Sequence, residues 1–465
     1  MNPQAAMIAM APEHLLLAGI VALVILEIVS DRSRAALPIA AAFVSAAALA
    51  AAWLGFSGWT GEPFPGQFVL TPPAAFAKAM LLALAVPVIL FSKEEFGGGE
   101  GESAFYPLLL SSLYGVCLLA SASSFLTLFL GIELMSIPVY VLVLLGYRRP
   151  ESAEAALKYL VLSGTASASF LMGASLMYGA TGSLSLASFA TALTSPDLLA
   201  RTAVVMVVSA FFVKAAIVPF HGWAPDAYEA ASVPSTAFMA VLVKAGVLVA
   251  AARVFGTAPV GESVVGLLVI LPLVSIVWGN LTAMRQPGLR RMIAYSSIAH
   301  AGYLFFAFVG DGPTRFQAVV FYLAAYGVMN VLAFAALPAN PDDRERDRLE
   351  NLKGLYHTHP LAALLIGMAM LSLAGIPPFP GFIAKFLIFK NVIAAGYTTW
   401  AVLGLVGSYL GLYFYLRVIQ FMFMSPAAAA SGHAPSRGIA MGASLLCLAG
   451  SVAIAFLPAF FLARF

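Results

Sequence analysis

Charge and cysteine are scarce in this chain, and each scarcity removes a class of function. Only 10% of its 465 residues are charged, and 24 lysines and arginines against 21 acids leave a net charge of +3. So small and dispersed a surplus builds no basic face for DNA or RNA, and nucleic acid is excluded as a partner. Two cysteines, Cys117 and Cys447, lie in separate apolar stretches without CxxC spacing, which excludes an iron–sulfur or zinc site and a disulfide framework. No basic segment precedes the first apolar run, so that run is expected to be retained as a span rather than cleaved. Gly97 to Gly99, in a Gly-rich acidic connector, lack the strand–loop–helix setting of a phosphate cradle.

What the chain has in abundance is apolar surface: 62% apolar residues and a mean hydropathy of +0.95. A membrane helix needs roughly 20 apolar residues, so fourteen spans would use nearly all of them. Apolar runs bounded by Gly, Pro or charge fall at 14–30, 35–55, 74–92, 105–120, 124–146 and 155–179. Eight more lie at 202–218, 233–255, 263–284, 291–310, 315–337, 361–396, 399–424 and 437–462. The expected fold is an all-α, polytopic membrane protein of about fourteen helices. Fourteen basic residues, Arg32, Arg148, Arg290 and Arg344 among them, fall in the loops after odd-numbered spans. Five, namely Lys78, Arg201, Arg253, Arg315 and Arg464, fall on the other side. The excess marks the cytoplasmic side, so both termini are expected to face outward. The mixed-charge segment Asn340 to Asn351, NPDDRERDRLEN, reads as a solvated connector on the cytoplasmic side, or as a docking surface there.

Spans seven and twelve are each interrupted by proline, and the interruptions align. IVPFHGW from Ile217 and IPPFPGF from Ile376 agree at five of seven positions, counting Trp223 against Phe382. Five spans separate them, and an odd number inverts the second copy, the plan of ion-coupled transporters with broken helices near the bilayer midplane. The expected organisation is three N-terminal helices (1–104), a first five-helix repeat (105–255), an inverted second repeat (256–424) and a C-terminal helix (425–465). Residues 361–396 as one straight helix would run about 54 Å, against a hydrocarbon core of about 30 Å.

An ionised side chain at the centre of a span costs roughly 2.5–3.5 kcal/mol, which makes such residues functional candidates. Four stand out: Glu133 before Pro138, Lys214 five residues before Pro219, Lys244 in the middle of the eighth span, and Lys385 after the second break. One carboxylate and three amines make a set able to pass protons if their affinities are brought together, and Glu133 can pair with Lys214. His221, inside the first break, and His300, in the tenth span, are further candidates, since histidine carries protons near neutral pH. Lys390 and Glu27 lie near span ends, and Arg417, beside a Tyr-rich run, suits either a second charge behind the site or a packing contact. His357 and His359 lack a ligand set for a metal, and His221 with His300 does not make a haem pair.

At these residues the chain resembles the antiporter-like proton-translocating subunits of respiratory complex I, the subunit N branch in particular, over about 105–424. The motifs that carry the resemblance are GIELMSIPVYVLV with Glu133, SAEAALKYLVLSGTASASFLMGASLMYGATGSL from Ser152, FFVKAAIVPFHGWAPDAYEAASVPS from Phe211, RRMIAYSSIAHAGY from Arg290 and LAGIPPFPGFIAKF from Leu373. The resemblance implies Glu133 and Lys214 as a coupling pair, Lys244 as a central relay, Lys385 as the exit-side group, and His221 and His300 on the same polar axis. It also implies a subunit of NADH:quinone oxidoreductase in a bacterial inner membrane, with other membrane subunits as partners. This chain would hold no cofactor, the FMN, iron–sulfur clusters and quinone belonging to partner subunits. Two other functions fit the same residues: a subunit of a multi-chain Na+/H+ antiporter or membrane-bound hydrogenase, and a scaffold that translocates nothing.

Overall fold

In lipid every backbone N–H and C=O must be satisfied internally, so spans of this composition fold as helices. The computed structural model describes residues 3–29, 35–96, 101–147, 149–310, 312–338, 347–426 and 438–465. Arg32, Arg34, Arg148, Arg344, Arg346, Arg437 and glycines 97–99 lie outside these. Among the described residues thirteen helices are long and apolar enough to cross a bilayer. The one remaining apolar run, the twelfth at 361–396, is divided into two helices of 15 residues each.

The chain begins with α1 (Pro3–Ala9), α2 (Ala11–Val29) and α3 (Ala36–Phe56). Strands β1 (Gly61–Phe64) and β2 (Phe68–Leu70) form an antiparallel hairpin before α4 (Pro72–Phe96). This hairpin marks one end of the bundle; Arg290 and Arg291 mark the other, the basic end. Then come α5 (Gly101–Ser121), α6 (Phe125–Leu144), α7 (Pro150–Thr181), the short α8 (Ala187–Leu193) and α9 (Leu198–Ala215). The starts of α6 and α9 are set by side chains that satisfy orphan amides. Ser124 accepts from the Thr127 amide at 3.1 Å to cap α6, and Asp197 accepts from the Ala200 amide at 3.3 Å to cap α9.

After α9 the backbone breaks and resumes as α10 (Trp223–Ala230). Helix α11 (Val233–Phe238), a π-helical turn at Met239–Val243 and α12 (Lys244–Phe255) make one continuous span. Next are α13 (Glu262–Ala283), α14 (Leu289–Phe306) and α15 (Gly312–Ala335), then the single turn α16 (Leu355–Thr358). Helices α17 (Pro360–Ala374) and α18 (Pro380–Ala394) follow, each about 22 Å long and too short to cross alone. The chain closes with α19 (Thr398–Met424), α20 (Gly438–Phe456) and α21 (Pro458–Leu462).

The two interruptions share a backbone conformation 159 residues apart, from Pro219 to Pro378. Ala216 (φ 61°) and Gly375 (φ 85°) both turn left-handed, and each break contains a cis X-Pro bond. The Ile217 amide donates to the Phe212 carbonyl as the Ile376 amide does to Leu371, and Phe220 to Ile217 as Phe379 to Ile376. Glycine takes the left-handed turn without penalty, whereas Ala216 takes it at a cost of about 1–2 kcal/mol.

Burial is uneven and it positions the site. The spans of α12, α14 and α15 are enclosed over almost their whole length. Around them α2, α7 and α19 expose large apolar side chains such as Leu17, Val161 and Val406, the kind of surface that lipid or a neighbouring subunit covers.

Candidate functional site: a buried line of acid, lysines and histidine

Glu133 and Lys214 meet where α6, α7 and α9 come together. Glu133 and Ser136 lie one turn apart on α6, and Ser163 and Ser167 one turn apart on α7, so two polar faces oppose each other. Lys214 enters from the last turn of α9. Its Nζ donates to the Ser163 hydroxyl at 2.6 Å and reaches both Glu133 Oε1 and the Ser136 hydroxyl at 3.5 Å. The same Glu133 oxygen accepts a hydrogen bond from Ser167. The Lys214 side chain is 4% exposed and that of Glu133 25%. The amine thus has an alternative acceptor whether or not the carboxylate is near.

Lys244 follows directly on the π-helical turn, a device frequent at functional positions because it re-aims the side chains after it. Its Nζ donates to the Ser297 carbonyl at 2.7 Å and to the Ser297 hydroxyl at 2.8 Å, without a carboxylate partner among the described residues. One turn further along α14, His300 hydrogen-bonds Tyr322 through Nδ1 (2.7 Å) and Tyr415 through Nε2 (3.1 Å). Tyr415 also bonds Ser296, so this stretch of α14 carries a continuous polar network through α15 and α19. A neutral imidazole donates from one nitrogen and accepts at the other, the arrangement that two tyrosine hydroxyls accommodate.

Lys385 sits just past the second break. Its Nζ donates to the Ala374 carbonyl, freed by the end of α17, at 3.0 Å and to the Ser408 hydroxyl at 3.2 Å. It stands 5.1 Å from the centre of the Tyr303 ring. A cavity of about 480 Å3 opens beside Lys385, with the exposed Lys390 among its lining residues. The other candidate, His221, is elsewhere: its Nε2 accepts from the Trp278 indole at 3.2 Å, and it touches none of the four charged groups. Among the described residues no hydrogen bond joins the Lys214 cluster to Lys244.

Residues 122–411 match the family described as "NADH:quinone oxidoreductase/Mrp antiporter, TM". The chain belongs to that family. It is 39% identical over 416 residues to the NADH-quinone oxidoreductase subunit N of Pelobacter propionicus, covering 90% of this chain and 89% of that one. To the subunit N of Laribacter hongkongensis it is 33% identical over 454 residues, covering 94% and 93%. Among solved structures, a chain of respiratory complex I from Thermus thermophilus superposes with a TM-score of 0.84 at 33% identity, covering 97% of this chain and 98% of that one. A chain of the Mrp complex from Dietzia shares the fold, with a TM-score of 0.83 at 23% identity, covering 100% and 96%.

Within this member of the NADH:quinone oxidoreductase/Mrp antiporter family, two groups sit differently from their sequence reading, and for a third the structure decides between two. Lys78 is not a loop cation: it is fully enclosed in α4, and its Nζ meets Glu13 Oε1 at 2.6 Å, both side chains 0% exposed. It also lies 4.6 Å from the Phe68 ring of the hairpin. The charged segment after Asn340 is not a solvated connector at its far end. Asp347 is buried against Arg290, accepting from Nε and Nη2 at 3.0 Å each. Arg417 resolves as a packing contact, donating to the Met284 carbonyl at 2.7 Å and covering Phe421.

At the basic end α10 is pinned from two sides. Asp226 accepts from Lys158 of α7 at 2.9 Å and from Arg291 of α14 at 3.0 Å, and Arg291 also reaches Glu229 at 2.7 Å. Burial pushes the Asp226 carboxyl up, but the hydrogen bonds and charges of these two cations outweigh it and hold it below the usual carboxylate range.

Proposed function

We propose that this chain is a proton-translocating membrane subunit of an NADH:quinone oxidoreductase, carrying protons along Glu133, Lys214, Lys244, His300 and Lys385. The energy comes from quinone reduction in partner subunits that hold the FMN, iron–sulfur clusters and quinone. The observation that carries this reading is Lys244. An amine in an enclosed span of the bundle, bonded among the described residues to Ser297, which itself lies one helical turn from a histidine held by two tyrosines, is costly to keep unless it works. Drawing Glu133 away from Lys214 lowers the amine's hold on its proton, and Ser163 keeps it placed while that happens. Moving one charge against 100 mV takes about 2.3 kcal/mol.

The subunit lies in a bacterial inner membrane with both termini outward, as the surplus of basic residues on one side favours. The two breaks belong to inverted repeats at 105–255 and 256–424, a reading supported by their matching backbone and the odd number of spans between them. His221, bonded to Trp278, is a positioning residue of the first break. Lys244→Ala and Glu133→Ala are each expected to leave the whole complex assembled on native gels while lowering proton pumping in vesicles; unchanged pumping in both removes the proposal.

A further inference from the structure

A groove of about 590 Å3 runs between α3, α4, α15, α20 and α21, with none of the four charged groups or two histidines of the candidate site in its lining, and it is lined almost wholly by carbon. Small side chains hollow it out: Ala48 and Ala52 on one face of α3, Ala79 and Ala83 on one face of α4, with Gly450 opposite. Along α3 it extends from Phe56 to Ser45 and along α4 from Phe76 to Pro87. Eleven residues of helix span about 16 Å, close to half of a hydrocarbon core of about 30 Å. The groove is therefore as deep as one leaflet, and it begins at the hairpin end.

One cation stands at its mouth. The Arg464 guanidinium carbon lies 5.0, 5.7 and 5.1 Å from the ring centres of Phe56, Phe76 and Phe460. Its Nε is enclosed and has no hydrogen-bond partner among the described residues, and none of their carboxylate side chains pairs with it. Along its flank Leu49 and Phe56 are exposed, so the groove communicates with the lipid-facing side of the bundle. A leaflet-deep apolar slot with a fixed positive group at the interface matches the two halves of one molecule, an acyl chain and a phosphate.

We infer that this groove holds an anionic glycerophospholipid of the leaflet at the hairpin end, its acyl chain between α3 and α4 and its phosphate at Arg464. Such a lipid would fill the seam between the three N-terminal helices and α15 with α20.

The intact complex in proteoliposomes tests this with a phosphatidylglycerol carrying a diazirine in mid-chain, cross-linked and mapped by peptide mass spectrometry. Label is expected on the peptides of α3, α4 and α20. Unlabelled phosphatidylglycerol should displace it about fivefold better than phosphatidylcholine, the preference one interfacial arginine confers. Ala83→Phe should abolish label in the groove and leave it elsewhere, and Arg464→Gln should make the two competitors equal. Equal competition in the wild type overturns the inference, and that arm needs no variant to assemble. So does label unchanged by Ala83→Phe, or label displaced by a long-chain quinone better than by either lipid.

Discussion

Among the described residues two acid–lysine pairs lie within the helix bundle, and they are built in opposite ways. Glu13 and Lys78 touch at 2.6 Å with nothing exposed, a π-face closing over the amine. Glu133 and Lys214 stand 3.5 Å apart, the glutamate a quarter exposed, with the hydroxyls of Ser136 and Ser163 at the amine and that of Ser167 at the carboxylate. A buried pair without alternatives is costly to separate, because each ion left alone keeps its full desolvation penalty. Where hydroxyls stand ready to replace the partner, separation is cheap. The first pair fastens the N-terminal helices; the second is free to change. Composition alone does not tell a clamp from a switch; the spare hydrogen-bond partners do.

The largest effect that would sharpen this contrast is on assembly. Lys78→Met strands Glu13 in an enclosed site and should destabilise the subunit by about 3–5 kcal/mol, read as lost complex on native gels and a lower melting temperature. The apolar double variant Glu13→Leu, Lys78→Met should recover most of it. A single variant that assembles normally but no longer pumps would reverse the roles of the two pairs. Next in size, Lys214→Met should assemble as the wild type does and slow proton translocation at least about tenfold, the scale of losing a positioned proton carrier. A melting temperature lowered as far as in Lys78→Met would make it a clamp as well.

Ser163→Ala tests the spare partners themselves. It removes a hydrogen bond worth about 0.5–1.5 kcal/mol, so turnover should fall severalfold with no change in assembly; unaltered turnover would mean the hydroxyl supports nothing. The smallest effect is at Asp226. A carboxyl held below its ordinary value of about 3.9 stabilises at every pH above that value, and the contribution disappears only as pH falls through the lowered one. The anchor of α10 should therefore be constant between pH 5 and pH 8, and Asp226→Asn should cost less than about 1 kcal/mol there, measured by thermal melting of the complex across that range.

The fold and the four intramembrane charges could be read from the sequence because their signals are local: apolar runs of span length, proline breaks, and single ions inside apolar windows. Lys214 with Glu133 was legible for the same reason, each standing out within its own span. Glu13 and Lys78 were not. Each lies near the start of an apolar run, where a charge reads as a flank, and their partnership joins helices 65 residues apart. Asp347 was hidden likewise, since in a string of alternating charges nothing marks the one that turns inward to Arg290. The tyrosines that hold His300 come from α15 and α19, and only packing brings them together.

The most direct test is the ratio of protons moved to electrons transferred by the intact complex in proteoliposomes, with NADH as donor. It is to be compared in the wild type, Glu133→Gln and the double variant Glu13→Leu, Lys78→Met. The ratio should fall in Glu133→Gln and stay at the wild-type value in the double variant; a wild-type ratio in Glu133→Gln, or a lowered one in the double variant, would contradict the assignment of the moving proton to the Glu133–Lys214 line.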